Sequence, residues 1–194
     1  MRLLLATHND HKRREFERLL SGGAVPIELD LLEGSFRLPP EEGETFSENA
    51  LGKARAAASG LGRVAIADDS GIAAAALGGA PGVRSARFAG PDATDAENLA
   101  KLLLEAPAGS ALEYICAIAY VDPATGEEHL FEGRCAGRLA ERPRGVRGFG
   151  YDPAFLPDDG PADLTMAELS DEQKDAISHR GRAARALLAW FRAG

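Results

Sequence analysis

The chain has 194 residues, 45% of them apolar, and carries a formal charge of −8. That length suits one domain with a sizeable core, and no apolar run nears the ~20 residues of a membrane-spanning helix. The acidic balance argues against general nucleic-acid binding, which uses a basic surface, but leaves open a small anionic ligand held by a few clustered cations.

Leu3-Leu4-Leu5-Ala6 reads as a first buried strand. The apolar stretch there is too short for a signal peptide, so a cytoplasmic protein is expected. Thr7 to Asp10 leads into a helix over about Asp10 to Leu20, with Phe16, Leu19 and Leu20 on one face and Ser21-Gly22-Gly23 as its stop. Ile27 to Leu32 suits a second strand. Gly34 to Glu44 is polar and turn-like. Thr45 with Glu48 forms a capping box for a helix to about Ser59, closed by Gly60 to Gly62. Val64-Ala65-Ile66 then reads as a buried strand that ends in Ala67-Asp68-Asp69-Ser70-Gly71.

Glycine and proline break the segment Leu77 to Gly82. Thr94 and Glu97 cap a further helix to about Glu105. Leu112 to Val121 and His129 to Leu139 form two strands of an antiparallel hairpin, turned at Asp122 to Gly126. Pro143 to Gly160 reads as a long loop. Ser170 and Gln173 open a short helix, and a last helix spans about Ser178 to Arg192. The alanine-rich stretches read as helix filler. Cys116 and Cys135, without metal-site spacing, read as reduced structural thiols. Strand–helix alternation followed by a hairpin implies a mixed α/β sheet.

Several of these segments suit phosphate chemistry. Asp68 and Asp69 are adjacent carboxylates that repel each other and are costly to desolvate, and a cation relieves both problems. Oxygen ligands followed by Ser70-Gly71 suit Mg²⁺ with a substrate phosphate; a plain strand-to-turn boundary is the other reading. Thr7, His8, Asn9, Asp10, His11 and Lys12 sit where a strand meets a helix N-terminus, a place for an anion; alternatively Asn9 or Asp10 is only a cap and Lys12 is solvated. Asn49 and Lys53 share a helix face. One of Glu41, Glu42 and Glu44 can complete a metal site with Asp69. Gly148-Phe149-Gly150-Tyr151-Asp152-Pro153 joins aromatics to glycines: Phe149 or Tyr151 can stack on a base, or both rings can pack inward. Lys174, Ser178, His179 and Arg180 offer donors for a purine edge or a phosphate.

Taken in order, these segments resemble the inosine/xanthosine triphosphate pyrophosphatase family. The matching stretches are Thr7-His8-Asn9 with Lys12 and Glu15, Glu41 through Thr45-Phe46 with Asn49-Ala50 and Lys53-Ala54, and Ala67 to Gly71. Pro81-Gly82 with Ser85-Ala86-Arg87, Gly148 to Pro153, and Lys174 with Ser178 to Gly181 also match. His8 stands where the family often has Gly, and Glu42 where it often has Thr.

The resemblance implies an elongated mixed central sheet flanked by helices, as a single domain of two lobes with a cleft between them. It implies a cytoplasmic homodimer that uses Mg²⁺ to cleave ITP, dITP and XTP to the monophosphate and pyrophosphate. Asp69 is expected as general base and metal ligand, with Glu41 sharing the ion. The segment from Thr7 to Lys12, with Lys53 and Ser70, is expected on the phosphates. Phe149, Gly150, Tyr151, Asp152, Lys174, His179 and Arg180 are expected on the base. Two other readings stand beside it: a Maf-like pyrophosphatase for pyrimidine or modified nucleotides, and a nucleotide- or RNA-binding protein without turnover. The lack of a Gly-x-x-x-x-Gly-Lys-Ser/Thr run argues against a P-loop ATPase.

Overall fold

The computed structural model describes residues 1–21 and 27–193, so Gly22-Gly23, the expected helix stop, lies outside the described residues. In chain order the elements are β1 (Arg2–Leu5), α1 (Asp10–Ser21), β2 (Glu28–Leu31), α2 (Phe46–Leu61), β3 (Ala65–Ala74), α3 (Asp95–Glu105), β4 (Ala111–Asp122), β5 (Glu127–Leu139), β6 (Phe155–Pro157), α4 (Asp171–Ile177) and α5 (His179–Ala193). The six strands form one sheet in the order β2-β1-β3-β4-β5-β6. Strand β1 runs parallel to β2 and β3, while β5 and β6 are antiparallel, so the sheet is mixed as expected. Among the described residues, no helix is long and apolar enough to cross a membrane.

Local chemistry sets the helix starts. Thr45 and Glu48 exchange bonds as a capping box, and so do Thr94 with Glu97 and Ser170 with Gln173. Each box satisfies two backbone donors that a helix start leaves open. A fourth box, Thr165 with Glu168, opens a short 3-10 turn that the sequence reading had not marked.

The chain forms two compact units. The first comprises Met1–Asp69, Cys116–Gly133 and Arg180–Gly194; the second comprises Ser70–Ile115 and Arg134–His179. In the first unit, alternation along the strands builds two cores. Leu3, Leu5, Ile66, Cys116 and Ile118 pack with Phe16 and Leu20 of α1 and Ala183 and Leu187 of α5. Leu4, Ala6, Ala65, Ala67, Ala117 and Ala119 pack with Ala50, Ala54, Ala57 and Ala58 of α2. The alanines of α2 are therefore a buried packing face and not filler. Small residues on both sides let helix and strands approach closely, which leaves no volume for a larger side chain. The second unit has one core, with Ile72, Leu99, Leu102, Leu112, Tyr114 and Phe155 among its members.

Two segments differ from the sequence reading. Strand β3 does not end at the paired aspartates; it continues through Ser70-Gly71 to Ala74. Gly71 permits this because a Cβ there would meet the Gly82 carbonyl oxygen at 2.7 Å, and the Ser85 hydroxyl bonds the next amide, Ile72, at 2.9 Å. The stretch from Pro143 to Gly160 is not wholly loop. Its residues Phe155–Pro157 pair with Gly137–Leu139 as β6, a strand too short to show a period in sequence.

Ala54→Leu tests the close face of α2. Overpacking a full core site costs about 1–3 kcal/mol, so a denaturation midpoint lowered to that extent is expected, and an unchanged midpoint would mean the face has slack.

Candidate active site

In the first unit the fold joins charges as far apart in sequence as Glu15 and Arg180, which are separated by 165 positions. Lys12, one turn into α1, places Nζ 3.0 Å from Asp68 Oδ2 on β3. Arg180, the second residue of α5, is 1% exposed. Its guanidinium donates to Asp68 Oδ2 at 3.2 Å and to Glu15 Oε2 at 2.5 Å. Burial alone would push the Asp68 carboxyl up, but Lys12, Arg180 and Lys53 outweigh it and hold that group well below the usual carboxylate range. The neighbouring Cys116 thiol, buried beside Asp68, is pushed up to about 12 by burial first and by that carboxylate second. It stays a protonated structural thiol; Cys135 is likewise a free, buried cysteine.

Asp69, next along β3, has different company. Asn49 donates from Nδ2 to Asp69 Oδ2 at 2.9 Å, while its own Oδ1 accepts from the Gly43 amide at 2.8 Å. Asn49 thus ties the segment that carries Glu41 to the strand. Lys53 bonds Glu41 Oε1 and lies 3.7 Å from Asp69 Oδ1. Burial pushes the Asp69 carboxyl up; Lys53 and Lys12 pull it down, Glu41 adds to the rise, and the result is a raised value. Burial lowers the Lys53 ammonium, but Asp68, Asp69 and Glu41 more than restore it and keep it charged.

Among the described residues, no three His, Cys, Asp or Glu side chains gather as a metal-binding group. Glu41 and Asp69 do face one positive charge, that of Lys53. Two carboxylates about a single cation is the donor set Mg²⁺ uses when phosphate oxygens and water complete its shell, so the residues fit that ion. Glu42 and Glu44, the other acids considered beside Glu41, are exposed, while Glu41 is half-buried.

The strand-to-helix segment is only partly as expected. Asn9 caps α1: its Oδ1 accepts from the amides of His11 at 2.9 Å and Lys12 at 3.0 Å, and Thr7 Oγ1 accepts from the Asn9 amide at 3.2 Å. Those amides are engaged by the cap. Lys12 is not solvated but turned onto Asp68. His8 Nε2 donates to the Phe36 carbonyl, Asp10 pairs with Arg13, and His11 Nδ1 accepts from Arg14.

In the second unit, Asp152 is the centre. Its Oδ2 accepts from Lys174 Nζ at 2.6 Å and from the Phe149 amide at 2.9 Å, and its Oδ1 accepts from Tyr114 Oη at 3.1 Å. Gly148 makes room: its φ is 70° and a Cβ there would meet Asp152 Cγ at 2.9 Å. The Gly150 amide donates to Asp95 at 2.9 Å. Half-buried Phe149 carries Lys174 Nζ 5.2 Å from its ring centroid, a cation–π contact. Tyr151 is packed inward and donates to the Ser85 carbonyl at 2.7 Å, while the Phe149 ring is half-buried. His179 is buried in this unit, stacked on Tyr114. Ser70 is half-buried in β3.

Arg180 was expected on a purine edge with His179; in the structure its guanidinium is enclosed by Glu15 and Asp68, since a buried charge must be paired. The reading also gave Glu15 and Tyr114 no role. Glu15 lies three residues beyond Lys12 on α1, a helical spacing that could have pointed to it; Tyr114 is one aromatic in an apolar strand and gives no such signal.

Known proteins share this arrangement of sequence. The chain matches the Ham1 family over residues 3–190. A dITP/XTP pyrophosphatase of Cutibacterium acnes is 47% identical over 194 residues, spanning 96% of this chain and 94% of its own. One from Symbiobacterium thermophilum is 49% identical over 187 residues, spanning 94% and 90%. Among solved structures, a HAM1 protein from Coxiella burnetii matches with a TM-score of 0.86 and 38% identity over 100% of both chains. A nucleoside-triphosphatase or dITP/XTP pyrophosphatase from Mycobacterium abscessus matches with a TM-score of 0.74 and 44% identity, covering 97% of this chain and 99% of its own.

The charge balance around Asp68 gives the fold an acid limit. The carboxyl is depressed in the folded chain, so its stabilisation is complete above the ordinary value of 3.8 and is lost as pH falls below it. Asp68→Asn leaves Lys12 and Arg180 buried without their shared partner. Unfolding in urea at pH 7 is expected to show a loss of about 3–5 kcal/mol, together with a shallower decline of stability toward low pH. A variant with wild-type stability and the same acid profile would remove Asp68 from this role.

Proposed function

The chain belongs to the Ham1 family, and on that premise we propose that it hydrolyses the non-canonical purine triphosphates ITP, dITP and XTP to the monophosphate and pyrophosphate. The observation that carries this reading is the divided environment of the paired aspartates. Asp68 is locked to Lys12 and Arg180, while Asp69 is held by Asn49 beside Glu41 and Lys53.

Asp69 acts as the general base. Its raised carboxyl is a better proton acceptor than an ordinary aspartate, and the Asn49 amide fixes its rotamer. Water attacks the α-phosphorus, its proton passes to Asp69, and pyrophosphate leaves. Lys12 and Lys53 supply positive charge for the phosphate oxygens, with Thr7 to His11 and Ser70 shaping the surroundings. Glu41 and Asp69 would hold Mg²⁺, which when bound neutralises phosphate oxygens and polarises water.

Phe149 stacks on the base, and Asp152 with the Gly148 and Gly150 backbone holds the loop that presents it. Lys174 and His179 donate toward the 6-keto oxygen of hypoxanthine or xanthine, where adenine presents a donor instead. Rejection of guanine then rests on its 2-amino group. The family resemblance is what supports a homodimer and a cytoplasmic location.

Pyrophosphate release is the direct assay. Turnover of ITP and XTP that needs Mg²⁺ and stops on chelation is expected, with dTTP and UTP left intact; preference for the pyrimidines would favour the Maf-like reading instead. Asp69→Asn should fold normally and lower kcat by about 10²–10⁴-fold, the scale of a lost general base. Near-normal turnover in that variant would reassign the proton acceptor.

A further inference from the structure

Tyr114 stands on β4 in the second unit and is buried. Its hydroxyl donates to Asp152 Oδ1 at 3.1 Å. Its ring lies parallel to the His179 imidazole, with centroids 4.5 Å apart and planes within 5°. Phe155 packs against it as well, tilted by 46° at 4.6 Å. One side chain therefore touches two residues assigned to the base. A phenylalanine would fill the same volume and keep both ring contacts; what the hydroxyl adds is a hydrogen bond to a charged acceptor in a buried setting.

The consequences run through Asp152. Rotation about the last torsion of an aspartate is soft, so its carboxylate is oriented by its partners. Tyr114 holds Oδ1, which leaves Oδ2 aimed at Lys174 Nζ and the Phe149 amide. The position of Phe149 and the direction of the Lys174 ammonium both follow from that carboxylate. On the purine-nucleotide reading, on which this assignment rests, we propose that Tyr114 is a positioning residue for base selectivity: its hydroxyl fixes the Asp152 carboxylate and its ring fixes the plane of His179. Tyr114 acts on binding of the base and not on attack at phosphorus, so its loss falls on KM and on substrate choice more than on kcat.

Pyrophosphate release from ITP and ATP is measured for the wild-type chain, Tyr114→Phe, Asp152→Asn and the double variant, with thermal melting alongside. For Tyr114→Phe the KM for ITP is expected to rise about 10-fold, the scale of a lost hydrogen bond to a charged group, with kcat within about twofold. The preference for ITP over ATP should fall by a similar factor. In the Asp152→Asn background the same change should add little, since both act through one carboxylate. Two results overturn the assignment: a folded Tyr114→Phe with unchanged KM and preference, or an equal further loss in the Asp152→Asn background. Should Tyr114→Phe fail to fold, Asp152→Asn decides, since an unaltered preference there overturns the assignment and a reduced one supports it. A wild-type chain that releases no pyrophosphate from ITP or XTP is a separate failure, that of the nucleotide reading.

Discussion

Removing one carboxylate from water is the constraint on which the first unit is organised. Asp68 on β3 is fully buried, and a buried charge without partners costs several kcal/mol. Lys12 from α1 and Arg180 from α5 offset that cost, and Glu15 in turn balances the guanidinium. Three elements far apart in sequence are thereby locked to one another by chemistry that apolar packing could not specify. The apolar contacts of α1 and α5 supply the bulk of the attraction, while the ion network fixes which residues face which.

That arrangement also separates two identical residues. Successive side chains on a strand point to opposite faces. Asp68 accordingly sits among Cys116, Lys12 and Arg180, whereas Asp69 meets Asn49 and Lys53 of α2. One carboxyl is held down and the other raised. Adjacent acids with opposed shifts can do different work, one structural and one chemical. Extension of β3 past Ser70 is what makes this possible, because a turn at the aspartates would have broken the alternation.

Much of this is legible in the amino-acid sequence itself. Thr45, Thr94 and Ser170 announce their helices because a capping box is local and needs only four residues. The sheet's mixed character followed from alternation and one tight turn. The paired aspartates and the acids around Glu41 pointed to phosphate chemistry by residue type alone. Other features were hidden because they depend on distant partners. Nothing near Gly71 says that Ser85 will bond the next amide and let the strand run on. Nothing near Arg180 says that Glu15 and Asp68 will enclose it. Nothing near Tyr151 says that its hydroxyl will bond the Ser85 carbonyl. Residue types pointed to the chemistry, and tertiary pairing decided which partners each copy meets.

Gly148 carries a constraint of another kind. Its left-handed backbone and the Asp152 carboxylate pressed against it leave space for a hydrogen and no more. A mutational walk through this loop would therefore find a closed door at 148, because every alternative side chain evicts the acid that orients its neighbours. Variation in this segment must enter elsewhere along the loop, and laboratory libraries built on this scaffold would do well to hold that position invariant.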